Sequence, residues 1–128
     1  MSTDAIVILK DDHKEIRKLF RDFKSQGPNA VKTKGKIVDK IIEALTVHTY
    51  IENECMYPEI RKRVPDLEDD ILESYEEEED EWFPKVREAL GRKDLQEIGE
   101  EMLRLKEKAP RRPSQPSALK KTVDAIIK

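Results

Sequence analysis

Cysteine, histidine, tryptophan and glycine are scarce in this 128-residue chain, with one, two, one and four of each, and aromatic side chains make up only 5% of it. A single cysteine, Cys55, excludes an intrachain disulfide and suits a reducing compartment, so a cytoplasmic location is expected. Long apolar runs are missing too. The stretch Ala5 to Leu9 has Asp4 before it and Asp11 and Asp12 soon after, which reads as neither a signal peptide nor a membrane span. No basic stripe is present: the net charge is -3 with both signs interspersed, arguing against a nucleic-acid surface. Val, Ile and Leu never alternate as in a strand and recur mostly at helical spacing, so an all-α fold is expected. At 15.0 kDa the chain is one domain's worth, and with 41% charged and 37% apolar residues its hydrophobic side chains must lie in narrow stripes.

What is present centres on residues 45 to 58. At helical period, Val38, Ile41, Ile42, Leu45, Cys55 and Met56 form one apolar stripe, and His48 and Glu52 fall inside it, one turn apart. A carboxylate turned into an apolar interior loses several kcal/mol of hydration unless a bound cation or a proton-sharing partner compensates it. The arrangement recurs at an offset of 26 residues, which lays Phe83-Pro84 on Tyr57-Pro58 and Glu78 on Glu52. Glu78 again sits in an apolar stripe, with Ile71, Tyr75, Trp82, Val86 and Leu90. The position matching His48 holds Ser74.

In chain order, Thr3 or Asp4 caps a first helix to about Lys24, with Ile6, Leu9, Ile16, Leu19, Phe20 and Phe23 as its buried stripe and His13 within it. Gly27 stops this helix and Asn29 caps the second. Pro58 lacks a backbone donor, so a kink or a helix end is expected near Tyr57, and the same at Pro84. A third helix begins at Asp66 and Asp69 and ends at Gly91. Asp94 and Glu97 make a capping box for a fourth helix to about Lys108, with Leu95, Ile98, Met102 and Leu105 facing the core. Residues 109 to 117 read as a Pro-rich linker, and Leu119, Val123, Ile126 and Ile127 mark a terminal amphipathic segment too short to be helical without a partner. Residues 1–108 and 109–128 are thus expected to be the domain and its tail.

The interior polar set is His13, His48, Glu52 and Glu78. Imidazole and carboxylate together suit iron, manganese or zinc, and facing helices of a bundle are where carboxylate-bridged sites are built. Each residue also has a plain structural reading. His13 fits a satisfied core histidine, His48 with Glu52 a solvated i,i+4 pair, and Glu78 the solvated acidic run 76–81. Cys55 as a nucleophile is a distant third, because beside Met56 it reads as packing.

Three stretches together resemble a known family: Ile-Leu-Lys-Asp-Asp-His-Lys-Glu-Ile-Arg-Lys-Leu-Phe at 8 to 20, Leu-Thr-Val-His-Thr-Tyr-Ile-Glu-Asn-Glu at 45 to 54, and Glu-Glu-Asp-Glu-Trp-Phe-Pro-Lys-Val-Arg at 78 to 87. They are similar to hemerythrin-like proteins carrying the HHE cation-binding domain. The resemblance implies an antiparallel four-helix bundle with a bridged di-iron centre of five histidines and two carboxylates, used for dioxygen, nitric oxide or peroxide chemistry. It makes His13 the first-helix ligand, His48 the second-helix ligand, and Glu52 and Glu78 the bridges. It covers residues 4 to about 108 and departs from the family at about Glu77. There the end of one family helix and the start of the next are absent, and three of the five histidines with them.

That departure predicts three long helices plus shorter C-terminal ones, and a groove open to Leu95–Leu105, the terminal segment or a second copy. A homodimer closes it most simply. Two functions stay open: a metal-binding protein of hemerythrin type, di-iron by resemblance and weakened by its incomplete ligand set, or a metal-free helical interaction module. Without metal, Glu52 and Glu78 are both expected to be uncompensated, with raised pKa values.

Overall fold

A computed structural model describes residues 3–67 and 75–111. Among these residues the chain is helical, with no strand: α1 (Ala5–Lys24), α2 (Val31–Ile51), α3 (Tyr57–Arg63), α4 (Tyr75–Glu77), α5 (Phe83–Ala89) and α6 (Arg92–Lys108). A five-residue π-helical segment, Glu52–Met56, joins α2 to α3, and another, Glu78–Trp82, joins α4 to α5. Asp66, expected with Asp69 to begin the third helix, sits in a turn, while Asp69, Ile71 and Ser74, and the terminal segment with Leu119, Val123, Ile126 and Ile127, lie outside the described residues.

The 26-residue repeat is a repeat of backbone as well as of sequence. In each copy the glutamate opens the π segment, its carbonyl accepts from the amide five residues on, and that amide belongs to the aromatic residue just before the proline. Tyr57 N–H donates to Glu52 and Phe83 N–H to Glu78. Proline cannot donate to the carbonyl four residues back, and a shift of the ladder by one residue absorbs that defect without ending the helix. The expected kink at Pro58 and Pro84 therefore takes the form of a widened turn on the N-terminal side, and both helices run on to Arg63 and Ala89.

Asp4 caps α1 as expected, its carboxylate accepting from the amides of Ile6 and Val7 at 2.9 and 3.2 Å. Two other expected caps are corrected. The residue before α2 is Ala30, with no side-chain cap, so Asn29 lies outside that role. Gly91 precedes α6, and the capping box at Asp94 and Glu97 is not formed because both carboxylates take Arg63, at 2.8 and 3.2 Å. Val38 is a further correction: it is 37% exposed, as the apolar stripe of α2 turns away from the core there.

α2 and α5 both run antiparallel to α1, as the pairs His13–His48, His13–Glu78 and Asp4–Arg87 require. α6 runs parallel to α1, with Gly99 against Thr3 and Lys106 against Asp12. Leu95, Ile98 and Met102 of α6 are buried with Ile6, Leu9, Ile51, Met56, Phe83 and Val86 in one apolar cluster. Each such side chain contributes about 1.5–3 kcal/mol of burial. A second, smaller cluster joins Ile16, Ile41, Leu45 and Tyr75. His13 lies in α1 between Leu9 of the first cluster and Ile16 of the second, so a polar layer divides the core. The groove expected between the long helices is thus occupied along part of its length by α6.

Gly99 is where α6 comes closest to the start of α1. A β-carbon there would fall on the backbone carbonyl of Thr3. Gly99→Ala should therefore destabilise the protein by about 1–3 kcal/mol in urea melts, the usual range for overpacking, and an unchanged midpoint would show that α6 does not pack there.

Candidate metal centre

The four interior residues expected from the sequence meet in one place. His13, His48, Glu52 and Glu78 are each at most 6% exposed. The His13 and His48 Nε2 atoms are 3.2 Å apart, His48 Nε2 is 2.8 Å from Glu52 Oε1, and His13 Nε2 is 3.4 Å from Glu78 Oε1. α1 contributes one residue, α2 one, and each π segment one. The solvated readings of His48, Glu52 and Glu78 do not hold, because all three side chains are inside.

Five further residues complete the centre, none of them among the four interior residues. Tyr57 Oη lies 2.7 Å from Glu52 Oε2 and 2.8 Å from Glu78 Oε2. Asp12 Oδ2 is 3.0 Å from His48 Nδ1, and Lys106 Nζ donates to Asp12 Oδ1 at 2.8 Å. Glu79 Oε2 approaches His13 Nδ1 at 3.4 Å. Tyr75 stacks on the His13 ring with centroids 3.6 Å apart. Tyr57 follows Glu52 by five residues, a spacing that points elsewhere on a regular α-helix and is brought back over the carboxylate by the π segment. The sequence signal was the Pro after it. Asp12 carried no signal beyond its place next to His13.

The protonation pattern follows from these distances. Burial opposes charge on His48, but the Glu52 carboxylate and Asp12 outweigh it and hold the imidazolium, with a pKa pushed up to about 10. Burial likewise opposes ionisation of Glu52, and the His48 charge overrides it, taking Glu52 down to about 2. Asp12 is burdened by burial and still held below the ordinary carboxylate range by His48 and Lys106. Glu78 has no such partner: burial and then the Glu52 charge push it up to about 9. Burial and the neighbouring His48 charge bring His13 down to about 3, leaving it neutral. The expectation that both glutamates stand uncompensated is therefore corrected for Glu52, which the i,i+4 imidazolium neutralises, and agrees with the direction found for Glu78.

One phenol proton cannot serve two carboxylates. Tyr57 donates to ionised Glu52, and the proton carried by Glu78 reaches back to the phenol oxygen. A chain of groups then runs Glu78, Tyr57, Glu52, His48, Asp12, Lys106 from the interior to the surface.

Two imidazoles and two carboxylates are a donor set suited to iron, manganese or zinc. Two buried atoms of the set, His13 Nδ1 and Glu78 Oε1, have no hydrogen-bond partner among the described residues, and Tyr75 Oη and Trp82 Nε1 beside them have none either. The donors fit a cation in kind. They currently satisfy one another, and among the described residues no group of three or more His, Cys, Asp or Glu side chains is arranged as a complete metal cage. Cys55 stands apart from the centre, buried, its thiol pushed up to about 11 by that burial.

The sign of the pH dependence follows. Glu78 and His48 bind their protons more tightly folded than unfolded, whereas His13, held neutral by folding, offsets them below its ordinary value of 6.5, so the metal-free protein should lose stability mainly as pH rises from 6.5 to about 9. Glu52 works in the opposite sense and only at low pH, its contribution being lost as pH falls from its unfolded value toward about 2. Glu78→Gln, which keeps a neutral side chain at every pH, should reduce the loss on the alkaline side in chelator-treated urea melts. An equal slope in both proteins would place Glu78 in water.

Compared with known proteins, residues 4–127 match the family profile described as Hemerythrin HHE cation binding domain. The match continues past the Pro-rich stretch at 109–117. No curated protein and no solved structure matches significantly. Among the described residues no helix is long and apolar enough to cross a membrane.

Proposed function

This chain belongs to the hemerythrin HHE cation binding domain family, and from that premise we propose that it binds one transition-metal ion in the centre formed by His13, His48, Glu52 and Glu78. The observation that carries this reading is the convergence of two imidazole nitrogens and two carboxylate oxygens, 2.8 to 3.4 Å apart, in a buried layer. Iron is the metal typical of the family, and the same donors accept zinc or manganese. Bound there, iron or manganese would supply redox change and a place for dioxygen, another small diatomic molecule or peroxide, whereas zinc would supply none of the redox chemistry.

The chain's own residues do the rest. Asp12 fixes the His48 ring by its Nδ1 contact, so that Nε2 faces the centre. Tyr57 ties the two carboxylates to a common point. Glu78 and His48 must each release a proton to become ligands, so affinity rises with pH. With only two histidines in the chain, the set is incomplete beside the five-histidine centre that the resemblance implies, and binding is weak. A metal-free interaction module is the second reading, favoured by the hydrogen bonds with which the centre already neutralises its charges. The free Cys55 thiol suits a cytoplasmic setting for either.

Metal titration of the chelated protein separates the two readings. Iron or zinc should bind at no more than about one per chain, His48→Ala should abolish binding, and Asp12→Asn should weaken it roughly 10–100-fold, as loss of an orienting partner does elsewhere. Equal binding by wild type and His48→Ala would sink the metal reading.

Self-association belongs to the same proposal. Val31 and Val38, 73% and 37% exposed on α2, offer an apolar face to a second copy. Sedimentation should show a dimer at micromolar concentration that Val38→Lys dissociates, and a monomer throughout would remove this part.

A further inference from the structure

The donors of the centre form a ring that only a phenol closes. His13 Nε2 is 3.2 Å from His48 Nε2, which is 2.8 Å from Glu52 Oε1, and Glu78 Oε1 is 3.4 Å from His13 Nε2. Between the two glutamates stands Tyr57 Oη, 2.7 Å from Glu52 Oε2 and 2.8 Å from Glu78 Oε2. Each carboxylate thus turns one oxygen to an imidazole and the other to the same phenol. We propose that Tyr57 is itself a metal ligand, its phenolate completing the ring around ferric iron and making the centre selective for that ion over zinc. This inference rests on the metal-binding function proposed above and adds a fifth donor to it.

Spacing is the first argument. Side-chain donors that share one ion at about 2.0–2.2 Å stand roughly 3 Å from one another. Every neighbouring pair in this ring has a separation of that order, the two pairs made by Tyr57 included.

Charge is the second. Two carboxylates and two neutral imidazoles balance a divalent cation, but a trivalent one keeps an uncompensated positive charge in an apolar interior, which is costly. A third anion removes that charge. Asp12 and Glu79 face the Nδ1 atoms instead, and Lys106 and Arg17 already hold them. Tyr75 stacks on the His13 ring, and its hydroxyl has no hydrogen-bond partner among the described residues. Tyr57 alone of the chain's three tyrosines touches both carboxylates, and the second repeat has Phe83 at the matching position.

In the metal-free protein, burial and the neighbouring carboxylates keep the proton on Tyr57. A trivalent ion in the ring reverses that field and favours the anion, the proton passing to solvent. With zinc the phenol stays protonated, because a third anion would overcompensate a divalent charge.

Spectroscopy of the chelator-treated full chain reloaded with a ferric chelate or with zinc tests the assignment. The ferric protein should show a phenolate-to-iron charge-transfer band in the visible, with resonance-enhanced tyrosine ring vibrations in its Raman spectrum. Tyr57→Phe should remove the band and lower ferric affinity at least about tenfold more than zinc affinity, since an anionic donor counts for more against the higher charge. A phenol that only orients the glutamates would give no band and would weaken both metals alike, which would overturn the proposal. Loss of the band in Tyr75→Phe, with Tyr57→Phe unaffected, would overturn it too. Wild-type protein that binds ferric iron without the band sinks this inference and leaves the four-residue centre standing, a result that needs no variant to fold. Wild type that binds neither metal sinks both.

Discussion

A carboxylate in an apolar interior loses several kcal/mol of hydration, and two carboxylates in hydrogen-bonding reach of one phenol cannot both stay ionised without a cation. Glu52 and Glu78 are such a pair, joined through Tyr57 Oη at 2.7 and 2.8 Å. The rest of the centre is arranged around how that conflict is settled. His48 supplies a positive charge to Glu52, Asp12 supports His48, and Lys106 supports Asp12. Glu78, at the far end, takes a proton. His13 stays neutral beside them because burial opposes its charge and a second imidazolium would repel the first.

Backbone geometry makes the pairing possible. Each glutamate opens a π segment that ends just before a proline, and the proline supplies the reason for the widened turn. In a regular helix Tyr57 would project away from Glu52. The extra residue in the turn rotates it back, and the same step places Phe83 in the second copy, without a hydroxyl. One copy therefore carries the bridging phenol, and its oxygen reaches both carboxylates because the two repeats run parallel to each other, antiparallel to α1.

The all-α fold, the extent of α1, the repeat and the meeting of His13, His48, Glu52 and Glu78 were legible in the sequence because each rests on periodicity. A histidine or glutamate within an apolar stripe is conspicuous at a period of 3.6. Less legible were features that depend on tertiary neighbours. Asp94 and Glu97 spell a capping box, yet Arg63, 31 and 34 residues away, takes both carboxylates. Val38 continues the stripe of α2, but the helix runs beyond what packs on it. Asp12 and Tyr57 escaped notice for complementary reasons: Asp12 sits one residue off the stripe, and Tyr57 is aligned only by a change of helical pitch that no α-helical template contains. The opposite pKa shifts of Glu52 and Glu78 depend on which of the two faces His48, a matter of geometry that equal sequence contexts conceal.

That asymmetry originates in one residue of the repeat. The register position that holds His48 in the first copy holds Ser74 in the second. With an imidazole in each copy, both carboxylates would have a cationic partner one turn away, and both would remain ionised. With one imidazole, the pair has a single internal cation for two acids, so the second acid keeps a proton. A proton on Glu78 and a proton on His48 thus sit on two of the side chains that the proposed metal binding would require as donors. Any cation entering must displace both, which makes its affinity a function of pH and places protons and metal in competition for the same oxygen and nitrogen atoms. The scarcity of histidine therefore does more than limit the number of candidate donors. It leaves a centre that can close on itself with protons alone, the Tyr57 phenol donating to ionised Glu52 and accepting from protonated Glu78.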